Sequence, residues 1–250
     1  MKIRQFIRLC TKGDLAGAQQ FFQLHPNINI SFNEEEAFRY VCEYGHLEVA
    51  QWLLQVCPTI DISVNYEEPF YAACYNGHLQ VAKWLFQVCP TINISAFNER
   101  AFRFACFCGH LEVAQWLLQV YPMIDITANE HFAFRWACCN GYLDVAQWLL
   151  QVCPTIDISI NDDRLFCYAC ISGCLEVAEW LHQIKPYLYV IEYDENGKIK
   201  GYKIRSKEEA NWERRKYLVW LASNHCPEEN KNNLLYKLPS DVSRMVIGFV

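Results

Sequence analysis

Six glycines recur at a fixed step of 32 residues: Gly13, Gly45, Gly77, Gly109, Gly141 and Gly173. Five phenylalanines (Phe38, Phe70, Phe102, Phe134, Phe166) and five tryptophans (Trp52, Trp84, Trp116, Trp148, Trp180) keep the same step. So do six prolines: Pro26, Pro58, Pro90, Pro122, Pro154 and Pro186. A period of this length, held by several residue types at once, dictates a stack of similar repeats, each burying its apolar face against its neighbours. A single central core is excluded.

Composition narrows the function classes. A net charge of -6 argues against a nucleic-acid groove, which needs a clustered basic face. No run of 18 apolar residues occurs, so no membrane span is expected. The opening Met1-Lys2-Ile3-Arg4-Gln5 leads into no long apolar core, so no signal peptide is expected and the chain reads as soluble and cytoplasmic. Fourteen cysteines would ordinarily suggest disulfides or zinc. Here Cys10, Cys42, Cys74, Cys106, Cys138 and Cys170 each lie three residues before a repeat glycine, and Cys57, Cys89 and Cys153 each precede a repeat proline. These nine are expected to be small buried residues, one role repeated, rather than bridges.

Residues 33–65 show one repeat. Asn33 stands three before Glu36, and Asn65 three before Glu68, the spacing of an N-cap with a carboxylate reaching back; Asn129 and Asn161 hold the same place. Pro69 falls in the first turn, where a missing N–H costs little. Phe38, Val41 and Cys42 form one apolar stripe, and Gly45 is expected to end this first helix with positive φ. A second helix is predicted from His46 to Val56. Its polar residues Glu48, Gln51 and Gln55 make one narrow stripe, which predicts burial on nearly all sides. Pro58 stops it, and the alternation Ile60-Asp61-Ile62-Ser63 predicts a short extended finger.

The line Gly45-His46-Leu47-Glu48-Val49-Ala50-Gln51-Trp52-Leu53-Leu54, echoed by Gly77-His78-Leu79 and Gly109-His110-Leu111, resembles the second helix of the ankyrin repeat. The family's Thr-Pro-Leu-His start reads Glu68-Pro69-Phe70-Tyr71 at its nearest. The usual Gly-Ala-Asp segment is replaced by Cys57-Pro58-Thr59-Ile60-Asp61, and the period is one residue short of the family's 33. The resemblance covers residues 1–185 and implies an all-α ankyrin-repeat solenoid of helix–turn–helix units, about six of them. The Cys-Pro-Thr-Ile variant is similar to the expanded ankyrin families of amoeba-infecting giant viruses, which implies a host cytoplasm as the setting.

Both ends depart from the period. Gln20 takes the tryptophan place in the first repeat, as befits an N-terminal cap. After Pro186 the register breaks. Two segments, 187–193 and 198–204, flank Asp194-Glu195-Asn196-Gly197, a hairpin signal, so residues 186–205 are expected to insert a small β-hairpin. Residues 206–250 read as a degenerate terminal unit, with a helix from about Ser206 to Asn224 and a C-terminal helical cap.

No catalytic constellation stands out from the repeat: there is no phosphate loop, no Gly-x-Ser-x-Gly and no paired carboxylates outside its pattern. His46, His78 and His110 read as turn residues bonding nearby backbone, since ligands one repeat apart, roughly 10 Å, exceed any zinc geometry. An enzyme, a metal or a cofactor is not expected. Positions that change on a constant scaffold are the candidate contacts. The residues before each glycine supply Tyr44, Tyr75, Asn76, Phe107, Cys108 and Asn140; the fingertips supply Glu67, Glu99, His131 and Asp163. The ankyrin resemblance implies a concave face for the first set. An aromatic row rimmed by acid suits a protein partner with basic and apolar patches, bound by a monomer. Tyr75 and Phe107 are expected side by side.

Residues 238–250 begin Leu238-Pro239 and place Val242, Met245, Val246 and Phe249 on one helical face. This is similar to the start of an F-box and to the shortened F-box-like (PRANC) tail of poxviral ankyrin proteins. It implies docking on a Skp-type adaptor of a cullin ubiquitin ligase, which would make the chain a substrate adaptor. A helix folding back to cap the array explains the same pattern. Both readings stand at this point.

Overall fold

The structure is a computed structural model that describes residues 2–158, 164–185, 188–196, 199–206 and 208–209. It divides into two compact units, one ending at Asp157 and the other beginning at Ile158. The first holds five helical hairpins: α1 (Lys2–Thr11) with α2 (Leu15–Leu24), α3 (Phe32–Glu43) with α4 (Leu47–Val56), α5 (Val64–Tyr75) with α6 (Leu79–Val88), α7 (Ala96–Phe107) with α8 (Leu111–Val120), and α9 (Ala128–Cys139) with α10 (Leu143–Val152). The second holds one more hairpin, α11 (Arg164–Ile171) with α12 (Leu175–Ile184), and an antiparallel pair, β1 (Tyr189–Tyr193) and β2 (Ile199–Ile204). The repeated helix–turn–helix arrangement with one small sheet is the architecture the period predicts.

Each first helix of the five-hairpin unit ends on the expected glycine. Gly45 has φ +78°, its N–H donates to Cys42 O at 3.3 Å, and the His46 N–H donates to Val41 O at 3.0 Å. That is the Schellman pattern, which satisfies carbonyls the helix end would leave bare. The second helix then starts one residue after the histidine.

First helices pack directly on one another, α1 on α3, α3 on α5, α5 on α7 and α7 on α9. Between hairpins a second ladder forms. Phe6, Phe38, Phe70 and Phe102 each lie against the tryptophan of the next hairpin, Trp52, Trp84, Trp116 and Trp148, with ring centroids 6.2 Å apart in every case. Offset, tilted pairs of this kind add to the burial of two large rings. Gln20, at the tryptophan place of the first hairpin, is exposed. In the second unit no tryptophan covers Phe166 among the described residues; Tyr189 of β1 stacks on it at 4.3 Å and Tyr202 of β2 meets it edge-on.

Four expectations need correcting. Asn33 is not an N-cap: Asn33, Glu34 and Glu35 all have positive φ, and the Asn33 amide donates to Glu36 Oε2 at 2.9 Å. The same left-handed three-residue turn recurs at 65–67, 97–99 and 129–131. Asparagine suits it because its short polar side chain tolerates this region better than most. The connector is not extended either. Ile60 N–H donates to Cys57 O and Val64 N–H to Asp61 O, so residues 57–64 make two successive turns that bury Ile60. Second helices are not buried all round: in α4 only Val49, Ala50 and Leu53 are fully buried, while Leu47, Trp52 and Leu54 are half-buried. Cys57, Cys89 and Cys153 are half-buried as well, their thiols within 3.4 Å of Thr59, Thr91 and Thr155 hydroxyls.

The helical cysteines behave as core. Burial pushes the Cys10 thiol up to about 12 and those of Cys42, Cys74 and Cys106 higher still, so they stay protonated and inert. Cys170, counted with them in the sequence, is half-buried. Near the end of the described residues Ser206 Oγ accepts from Glu209 N–H while Glu209 Oε2 accepts from Ser206 N–H, a reciprocal capping box. The body of the helix expected there, and the C-terminal cap, lie outside the described residues.

The ladder gives a direct contrast. Trp116 is 9% exposed, pressed on Phe70 and on Phe86, whereas Tyr44 is 52% exposed. Trp116→Ala is expected to cost about 3–5 kcal/mol, and Tyr44→Ala to stay within roughly 0.5 kcal/mol. Denaturant melts of the two variants measure this directly.

Candidate functional site

The left-handed turns decide which side chains reach the surface. Three successive left-handed residues cost about 1–2 kcal/mol each for side chains other than glycine, so something must hold them. An arginine six residues after the first does so in three hairpins. Arg39 Nε donates to Glu34 O at 2.8 Å, Arg103 Nε to Asn98 O at 2.6 Å and Nη2 to Phe97 O at 3.0 Å, and Arg135 Nη1 to Glu130 O at 3.2 Å. In the remaining hairpin Tyr71 takes that place; there the Asn65 amide donates to Glu34 Oε2 at 3.1 Å and Tyr66 meets Phe97 edge-on.

These turns split the fingertip pairs. The second residue of each turn (Glu34, Tyr66, Asn98, Glu130) is exposed. The third turns inward. Glu35 is 7% and Glu99 8% exposed, with Glu35 Oε1 accepting from Asp61 N–H at 3.5 Å and Glu99 Oε1 from Asp125 N–H at 3.4 Å. Each carboxylate thus braces the connector that follows, and burial raises the Glu99 pKa. Glu99, expected as an exposed contact, is a buried brace. Glu67 and His131 hold the same inward place and are half-buried, and His131 Nδ1 is buried with no partner among the described residues.

With the acid turned in, the surface of the first helices carries rings. Tyr71 and Tyr75 of α5, Phe104 and Phe107 of α7, and Phe132 and Trp136 of α9 form one chain of contacts, neighbouring centroids 5.4–6.2 Å apart. Phe104 lies at its middle and touches Tyr71, Tyr75, Phe107 and Phe132. Tyr75 and Phe107 are therefore joined through Phe104 rather than directly. All six rings are partly open to solvent, Trp136 most, at 36%. Guanidinium groups lie among them: Arg100 sits 3.6 Å over Tyr71 and Arg103 4.8 Å over Phe132. Of the acid rim expected around this row, Glu99 points away and Glu130 stays exposed, and arginine lies among the rings.

The other candidates frame the row. Cys108 is hydrogen-bonded to the Tyr75 phenol, and the neighbouring Cys108 sulfur raises the Tyr75 pKa. Asn140 donates to Phe107 O at 2.9 Å, tying α9 to α7, while Asn76 donates to Ala72 O within its own helix. Tyr44 stands apart from the row, beside Tyr40 at 6.3 Å. Asp163 and the six tail residues Leu238, Pro239, Val242, Met245, Val246 and Phe249 lie outside the described residues.

Behind this face the turn histidines join hairpins. His46 Nε2–H donates to Thr11 O at 3.0 Å, and His78 and His110 bond Glu43 and Tyr75 carbonyls in the same way. Burial lowers the pKa of His78 and His110 below the usual 6.5. Between the folded and unfolded values the unfolded chain binds more protons. Stability is therefore fully present above 6.5 and falls as pH drops through the folded values. Glu99, raised by burial, works with the opposite sign, gaining its proton first in the fold. Melting points at pH about 7.5 and about 5.5 are expected to differ less in His78→Gln with His110→Gln than in the parent chain; an equal difference would assign the loss to other groups.

Among the described residues no helix is long and apolar enough to cross a membrane, and no three His, Cys, Asp or Glu side chains cluster as metal ligands. The sequence profile for ankyrin repeats (three copies) matches the chain over residues 6–98, 39–130 and 103–190. No curated protein matches it at a significant level.

Proposed function

Because the chain belongs to the ankyrin-repeat family, whose repeats are generally non-enzymatic protein–protein interaction modules, we propose that it binds a protein partner across the ring-lined face of α5, α7 and α9. The contiguous row from Tyr71 to Trp136 carries the proposal. The rings that hold the stack together are others, the phenylalanines and tryptophans of the repeat ladder. Ala72, Glu43 and Cys139 fill the row's places elsewhere in the array, so the stack does not require aromatics there. Half-open aromatic side chains in a cluster, flanked by arginine, match the composition of binding hot spots.

The preceding-glycine residues Tyr75, Phe107, Cys108 and Asn140 belong to this face as contacts or supports. Tyr44, Asn76, Glu67 and His131 lie at its margins. The ligase-adaptor alternative has only the sequence of residues 238–250 behind it. It requires that cullin components co-purify with the full chain and not with a chain cut after Tyr236.

Phe107→Ala with Trp136→Ala is expected to weaken partner binding by at least about 2 kcal/mol with the melting transition of the array preserved. Proximity labelling in cells with the parent and the double variant measures it. A discrete set of proteins labelled by the first and lost with the second is the expected result; an unchanged set from a folded variant places the contact elsewhere.

A further inference from the structure

A cleft of about 650 Å³ opens between α1 and α3, lined by Arg4, Arg8, Phe32, Glu36, Tyr40 and Tyr44 among others. Its chemistry differs from that of the ring row. Helix α1 carries Lys2, Arg4 and Arg8 and no acidic residue, in a chain whose net charge is -6. Arg4 and Arg8 stand one turn apart and are both exposed. The ion pair among the described residues is Arg135 with Glu130, so neither cleft arginine has a carboxylate partner there. Glu36 is the acidic group on the wall. Its Oε2 is engaged by the Asn33 amide at 2.9 Å, which leaves two guanidiniums facing one carboxylate already hydrogen-bonded.

Arg8 holds the repeat position of Tyr40, Phe104 and Trp136, and Arg4 that of Phe132, so the cleft lies on the same side of the first helices as the ring row. Tyr40 lies on α3 and Tyr44 caps its C-terminus, and α3 packs on α5, the helix of Tyr71 and Tyr75. Phe32, 43% exposed, adds an apolar wall beside the arginines. From α9 to α1 is four helix-packing steps, about 32–40 Å at 8–10 Å each, a span of roughly nine to twelve extended residues. Guanidinium groups beside tyrosine and phenylalanine rings are suited to a carboxylate carried on a partly apolar segment, since the planar fork can take both oxygens.

We infer that the α1–α3 cleft is the anion-binding end of the face proposed above, and that it seats a carboxylate of an acidic, apolar peptide segment whose apolar side chains lie on the ring row. The inference rests on that reading and names the partner chemistry it takes. It reverses the basic partner expected from the sequence, because the cleft is lined by two exposed arginines and two of the fingertip acids, Glu35 and Glu99, are folded inward.

The test uses the full chain and a displayed library of random peptides of roughly twelve residues. Selection on the parent is expected to enrich Asp or Glu together with aromatic or aliphatic residues. One enriched peptide, synthesised with a fluorescent label, is then titrated against the parent, Arg4→Gln with Arg8→Gln, and Lys83→Gln as a charge control on α6. The arginine double variant should bind about tenfold more weakly, with the loss shrinking at high salt, and Lys83→Gln should match the parent. Melting curves verify that each variant is folded. Should the double variant fail to fold, replacing the peptide's Asp and Glu by Asn and Gln must produce the same tenfold loss on the parent chain. Enrichment of apolar peptides that depend on Trp136 but not on Arg4 and Arg8 overturns the inference and leaves the binding face standing. Enrichment of Lys and Arg overturns it in favour of a basic partner. Selection of no peptide at all overturns both.

Discussion

In the five-hairpin unit, the glycine that ends one first helix and a ring from the next hairpin compete for the same space. A Cβ on Gly13, Gly45 or Gly77 would run into the imidazole of His46, His78 or His110, and one on Gly109 into the ring of Tyr142. These glycines are also held at φ of +71° to +79°, so no other residue fits either the backbone or the gap. The ring that fills the gap is itself useful: each histidine donates to a carbonyl near the end of the preceding first helix. One step therefore ends a helix, starts the next and locks a hairpin to its predecessor. With that lock in place, each repeat phenylalanine meets the next tryptophan at the same 6.2 Å.

The first helices inherit their freedom from this arrangement. Their inner sides are committed to alanine, cysteine and phenylalanine, and the lock and ladder carry the cohesion between hairpins. Side chains on the other side can then change from repeat to repeat without loss of the stack, from Arg4 and Arg8 through Tyr40 and Tyr44 to the rings of α5, α7 and α9. The left-handed turns sharpen the pattern. They fold Glu35 and Glu99 under the connectors and draw Arg39, Arg103 and Arg135 back onto their own carbonyls, while Glu34 and Glu130 stay exposed. The varying side of the first helices is aromatic at one end and guanidinium-rich at the other.

The repeat, the helix pairs and the β-hairpin were legible in the sequence because each depends on local chemistry. Glycine spacing, the proline stops and the Asn196-Gly197 signal need no tertiary information. The turns at 33–35 and their equivalents were not legible, since asparagine followed by glutamate fits an N-cap as well as a left-handed residue. The clue was the recurring arginine at 39, 103 and 135, whose partners are backbone carbonyls that no side-chain pattern reveals. Two of the six rings, Tyr75 and Phe107, were legible from the residues before each glycine. Phe104 and Trp136 were missed because their column also contains Tyr40, Tyr168 and one alanine, Ala72; scanning every 32-residue column for aromatics, not only those beside the glycines, would have found them. Glu99 was misplaced for a related reason: its exposure depends on the turn.

The glycine and the ring of the next hairpin form one lock, which a double-mutant cycle on Gly77→Ala and His110→Ala measures. Gly77→Ala is expected to cost at least about 1 kcal/mol less in the His110→Ala background than in the parent chain, because the clash with the imidazole has been removed and only the backbone strain remains. Unfolding free energies of the two single variants that simply add, within about 0.5 kcal/mol, would contradict it.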